Sequence, residues 1–82
     1  LMDQLQHVLS ALGEGDYQVT LHARQRMGSR CVTHQDIRAC GSSGAATAQA
    51  DGKIEVRGFD CDGDELTLIC VEENGVLIIT VF

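Results

Sequence analysis

Glu65-Leu66-Thr67-Leu68-Ile69-Cys70-Val71-Glu72-Glu73, Asn74-Gly75 and Val76-Leu77-Ile78-Ile79-Thr80-Val81-Phe82 make up residues 65–82. Asn-Gly between two apolar, β-branched runs is a strong hairpin signal, because both residues tolerate the positive φ that a tight turn needs. Leu66, Leu68 and Cys70 alternate with Ile69 and Val71, and Leu77, Ile79 and Val81 alternate with Val76, Ile78 and Phe82. A sheet packed on one side only shows polar residues at every second position, so these two strands are expected to be central, with both faces covered. Helices would cover one face, and a subunit partner, a wrapped helix or a ligand surface the other.

Upstream, Lys53-Ile54-Glu55-Val56-Arg57 alternates with Ile54 and Val56 inward, and Asp60 to Asp64 forms the turn into the hairpin. Ala45 to Ala50 is a low-propensity edge strand before an Asp51-Gly52 turn. The expected sheet is an antiparallel meander of three to four strands whose last strand offers an open edge. Before Gly41-Ser42-Ser43-Gly44 the period changes to that of helices. Asp3 with Gln6 caps a helix of about 10 residues carrying Leu5, Val8, Leu9 and Leu12 and ending at Gly13. Tyr17-Gln18-Val19 is a short extended stretch, and Thr20 caps a helix from Leu21 to Ser29. Thr33 with Asp36 forms a capping box for a third helix that buries Ile37, Ala39 and Cys40 and stops at Gly41. The fold class is α+β, with N-terminal helices packed on the sheet.

With 82 residues the chain is expected to be a single domain, residues 1–82, and its ordinary composition excludes fibrous and disordered classes. So small a core leaves stability partly dependent on oligomerisation, and no large cleft is expected. No apolar run is long enough for a membrane helix, no export signal is visible, and the expected location is cytoplasmic, with Cys31, Cys40, Cys61 and Cys70 reduced. Cys31 and Cys70 occupy positions suited to small core hydrophobes. No cofactor or metal is called for. Cys31-Val32-Thr33-His34 lacks a second close ligand pair, and Asp60-Cys61-Asp62-Gly63-Asp64 lacks the glycine and glutamate placement of a calcium loop. His7 is read as a surface residue without a partner.

The net charge is −6, but it is unevenly spread. Residues 20–38 carry +3, from Arg24, Arg26, Arg30 and Arg38 against Asp36, while residues 1–19 carry −3 and residues 39–82 carry −6. Within the cationic stretch His22, Arg26 and Arg30 stand at i, i+4 and i+8, inside an arc of about 80° on one helix face. Like charges stacked in this way destabilise a helix unless an anion or acidic partner meets them. Arginine forks match phosphate oxygens in pairs, and histidine, with an ordinary pKa near ~6.5, passes protons at neutral pH. Together they could do metal-free phosphodiester chemistry. The alternative is structural, with the arginines paired to Asp16, Asp36, Glu55 or Glu65.

Tyr17, Thr20-Leu21-His22-Ala23, Arg26-Met27, Arg30, Cys31-Val32-Thr33, Asp36-Ile37, Gly41 and the closing Val76-Leu77-Ile78-Ile79-Thr80-Val81-Phe82 resemble the domain-of-unknown-function family 4258 over residues 17–82. That pattern has an H-A-x-x-R-M-x-x-R helix, an acidic helix start and a closing strand reading I-I-T-V-Y; here Phe82 stands in place of the tyrosine. The resemblance implies a fold similar to the RelE-like ribonuclease toxins and a zinc-finger antitoxin protein as partner. It places His22, Arg26 and Arg30 in the catalytic group, Asp36 at the acidic helix position and Thr80 of the closing strand among the substrate-binding residues, with Arg57 as a looser phosphate-binding analogue. The expected function is a toxin-like RNA-cleaving or RNA-binding domain, a metal-independent endoribonuclease if it is an enzyme. The alternative is a non-catalytic interaction module, homodimeric through its sheet.

Overall fold

Gly41 decides how the helices meet. In the computed structural model, which describes residues 2–82 and their side chains from residue 3, a Cβ at Gly41 would lie 2.6 Å from Leu12 Cβ and 2.8 Å from Gly13 N. Helix α1 (Met2–Glu14) and helix α3 (His34–Ser43) therefore cross backbone to backbone at this point. Gly41 is a packing glycine inside α3, not its stop. The helix continues to Ser43 and ends at Gly44, and α1 likewise runs one residue past Gly13.

Between these helices the chain forms strand β1 (Tyr17–Val19) and helix α2 (Leu21–Arg30), and after them strands β2 (Ala45–Ala48), β3 (Ile54–Phe59), β4 (Glu65–Glu72) and β5 (Val76–Val81). The sheet has the order β1-β5-β4-β3-β2. It corrects the expected meander in two ways: there are five strands, and the sheet is mixed, because β1 pairs with β5 in parallel, Tyr17 opposite Val76 and Val19 opposite Ile78. The last strand is consequently not an open edge. β1 takes its first half, and α2 takes the second, through Thr20 Oγ1 donating to the Ile79 carbonyl at 3.0 Å and Arg26 Nε donating to the Val81 carbonyl at 3.3 Å.

The core lies between one face of the sheet and the helices. Ile54, Val56, Leu66, Leu68, Cys70, Val76, Ile78 and Val81 meet Val8, Ala11 and Leu12 of α1, Ala23 and Met27 of α2, and Ile37 and Cys40 of α3. The inward placement of Ile54 and Val56 follows the expected alternation. Cys31 does not join them. It caps α2 in a left-handed conformation (φ 57°) and is exposed, whereas Cys40 and Cys70 are buried. His7, expected to lack a partner, lies 2.9 Å from the Glu72 carboxylate.

Asp36 is the one buried charged residue of the described chain. Its carboxylate closes the capping box by accepting from Thr33 N at 2.9 Å and also accepts from Cys61 N at 3.0 Å, tying the start of α3 to the β3–β4 turn. Those amides hold its carboxyl below the usual range. In that turn Asp60 Oδ1 accepts from the amides of Asp62 and Asp64, both at 2.9 Å. The opposite sheet face carries no helix among the described residues. Ile69, Val71, Leu77 and Ile79 are only half-buried there, so the expected cover of the hairpin's second face is not supplied by the described chain.

Candidate phosphate-contacting face at the edge of the sheet

Thr20 starts α2 as an N-cap, its hydroxyl accepting from Ala23 N at 3.0 Å while donating to β5. This double use fixes the helix against the strand and sets the rotation that turns Ala23 and Met27 inward. His22 and Arg26, one turn apart, then stand over the end of β5. His22 Nε2 is 3.3 Å from Thr80 Oγ1. Arg26, anchored through Nε on Val81, holds its Cζ 5.7 Å from the centre of the Phe82 ring, a cation–π contact.

An irregularity in β5 puts Thr80 there. Cys70 faces Ile78 but Ile69 faces Thr80, so Ile79 is an extra residue, and the bulge re-aims the strand beside the helix. Phe82 continues the strand pairing, exchanging two backbone hydrogen bonds with Thr67, and Thr67 in turn faces Arg57 on β3. Arg57 thus belongs to the same sheet face, two strand spacings or about 10 Å from Phe82. It borders a hollow of about 180 Å³ together with Phe59, Glu65 and Thr67.

The structure therefore joins His22 to Thr80, sets Arg26 on the adjoining Val81 and Phe82, and places Arg57 farther along the face. Arg30 ends α2, exposed, with no side-chain hydrogen bond among the described residues. The expected neutralisation of the arginines by carboxylates is not observed. Both ion pairs among the described residues, His7–Glu72 and Lys53–Asp51, lie elsewhere, and Asp36 is occupied by backbone amides. Arg26 spends its Nε on the strand, and neither of its Nη groups has a hydrogen-bond acceptor among the described residues. At three of the four cysteines thiol chemistry is disfavoured: burial pushes Cys40 up to about 11 and Cys70 up to about 12, and Cys61 is also raised, by desolvation and then by the Asp36 carboxylate.

Phe82 and the Val81 carbonyl are part of this arrangement that sequence reading did not assign. The available signal was the spacing of Arg26 from the Thr20 cap, six residues or more than one and a half turns, which lets its long side chain reach a strand edge. A second missed group is Tyr17 with His34, whose hydroxyl and Nδ1 are 2.7 Å apart with the rings stacked.

No helix among the described residues is long and apolar enough to cross a membrane. Comparison with curated proteins found no match, and neither did comparison with solved structures. The model of a family described as a domain of unknown function, DUF4258, matches residues 19–82, a span that contains α2, the bulged strand and every residue of the face just described. The chain belongs to that family.

Proposed function

We propose that the α2–β5 face binds RNA and that the chain is a toxin-like, metal-independent endoribonuclease similar to the RelE-like toxins, held in check by a zinc-finger antitoxin protein. The observation that carries this reading is a histidine and an arginine one helical turn apart at the end of β5, His22 on Thr80 and Arg26 over Phe82, with no carboxylate paired to either among the described residues. In the reaction the ribose 2′-oxygen bonds to the adjacent phosphorus, the bond from phosphorus to the 5′-oxygen breaks, and the products are a 2′,3′-cyclic phosphate and a 5′-hydroxyl. His22 transfers the proton at the 2′-hydroxyl or at the leaving oxygen, and water serves the other. Arg26, Arg30 and Arg57 offset the charge gathering on the phosphoryl oxygens, Thr80 orients the imidazole, and the exposed Phe82 ring offers a stacking surface for a base.

Binding to single-stranded RNA as a function of salt tests the first half of this reading. With three arginines on phosphates, log K should fall against log salt with a slope of about −2, and Arg30→Gln should reduce that slope by about 0.7. Arg30 is exposed and makes no side-chain hydrogen bond or ion pair among the described residues, so this variant keeps the fold. Absence of binding at low salt, or a slope unchanged by R30Q, contradicts the assignment.

A second reading has its own observation. Ile69, Val71, Leu77 and Ile79 are half-exposed in one patch, and Phe59 and Phe82 are 49% and 48% exposed. A non-catalytic module that dimerises through this face would use the same surface, and self-association without RNA binding favours it.

A further inference from the structure

We propose that the cleft on the other flank of α2 is a separate binding site for a phosphomonoester group. The cleft has a volume of about 600 Å³ and lies between the end of α1, β1, α2 and α3, with Glu14, Tyr17, Arg24, His34 and Arg38 among its walls. Arg24 projects about 160° around the helix from His22, so the two sites share no side chain.

Three donors in the walls of one cleft define the ligand. Arg38 donates through Nε to the Gly13 carbonyl at 3.4 Å, which fixes the side chain against the end of α1 and leaves both Nη groups without a protein acceptor among the described residues. Arg24 makes no side-chain hydrogen bond or ion pair there. The Tyr17 hydroxyl lies 2.7 Å from His34 Nδ1, and the rings stack at 5.9 Å with 27° between their planes, so the imidazole is held from one side. In the tautomer in which the Tyr17 hydroxyl donates to Nδ1, the ring proton sits on Nε2 and is available to a ligand. Two guanidinium forks and one imidazole N–H match the three terminal oxygens of a phosphomonoester better than the two of a carboxylate. Glu14 is the only acid in the walls, so the cleft stays cationic within a molecule of net charge −6. The group can come from a small free phosphate ester or from the phosphorylated end of an RNA strand.

NMR titration of the whole chain at constant ionic strength reads this directly. Inorganic phosphate should shift the His34 ring and the Arg24 and Arg38 Nε–H signals saturably. Arg24→Gln, which breaks no contact of the fold, should weaken binding about tenfold, and R24Q/R38Q should abolish it. Binding should survive His22→Ala unchanged, so the result stands apart from the fate of the RNA-cleavage reading. A 5′-phosphorylated oligoribonucleotide binding tighter than its 5′-hydroxyl twin, with the gain lost in R24Q, identifies an RNA end as the source. Equal affinity of the twins beside saturable phosphate binding identifies a free ester. No saturable shift by tens of millimolar phosphate, or undiminished binding in R24Q, overturns the site.

Discussion

Asp36 and Arg26 show how one side chain can serve two masters. Asp36 caps α3 and also clamps the β3–β4 turn through Cys61 N, so its removal loosens two elements at once. Asp36→Asn keeps the shape but weakens two charge-assisted bonds, and a loss of about 1–3 kcal/mol is expected in denaturant unfolding. The amides lower the folded carboxyl's pKa below its unfolded value, so the contribution is complete above the ordinary carboxylate pKa of about 3.9 and is lost as pH falls through the lower folded value. Stability curves of the native chain and D36N should therefore run apart at pH 6 and converge on acidification; parallel curves contradict the assignment. The Thr33–Asp36 box was legible in sequence because its spacing is local. The bond to Cys61 was not, since it spans 25 residues and depends on where the turn falls.

At the level of elements, apolar alternation and turn residues located β3, β4 and β5, and cap residues located α2 and α3, whereas Asp3, read as the cap of the first helix, lies inside α1, which already includes Met2. The strand β1 was visible only as an extended stretch. Three residues carry too little pattern to announce a partner, and a parallel pairing with a strand nearly 60 residues away leaves no local mark. Gly41 misled for a related reason: a glycine near a helix end reads as a terminator, whereas this one is required by the approach of Leu12 and Gly13. Gly41→Ala is accordingly expected to destabilise by about 1–3 kcal/mol through overpacking, lowering Tm by at least about 4 °C, although alanine raises helix propensity. An unchanged or raised Tm would show that α1 and α3 can separate freely.

Across the whole molecule, the helices occupy one side of the sheet and leave the other uncovered by the described chain, and α2 sits at the boundary with a different cationic group on each flank. The cationic stretch, and its helical spacing, could be read from the sequence. Which arginine faced which surface could not, because that depends on the rotation of α2 set by Thr20 on Ile79 and by the bulge at Ile79. Net charge −6 repels RNA at a distance, so the proposed RNA binding would have to rest on short-range contacts at this boundary.

Incubation of single-stranded RNA with the purified chain and with His22→Ala, followed by analysis of the product ends, addresses the proposed activity at the atom assigned to it. The native chain should leave 2′,3′-cyclic phosphate and 5′-hydroxyl ends, and H22A, folded to the same Tm, should be slower by about 10²–10⁴-fold. Equal cleavage by the two proteins, or no cleavage by the native chain, contradicts the account.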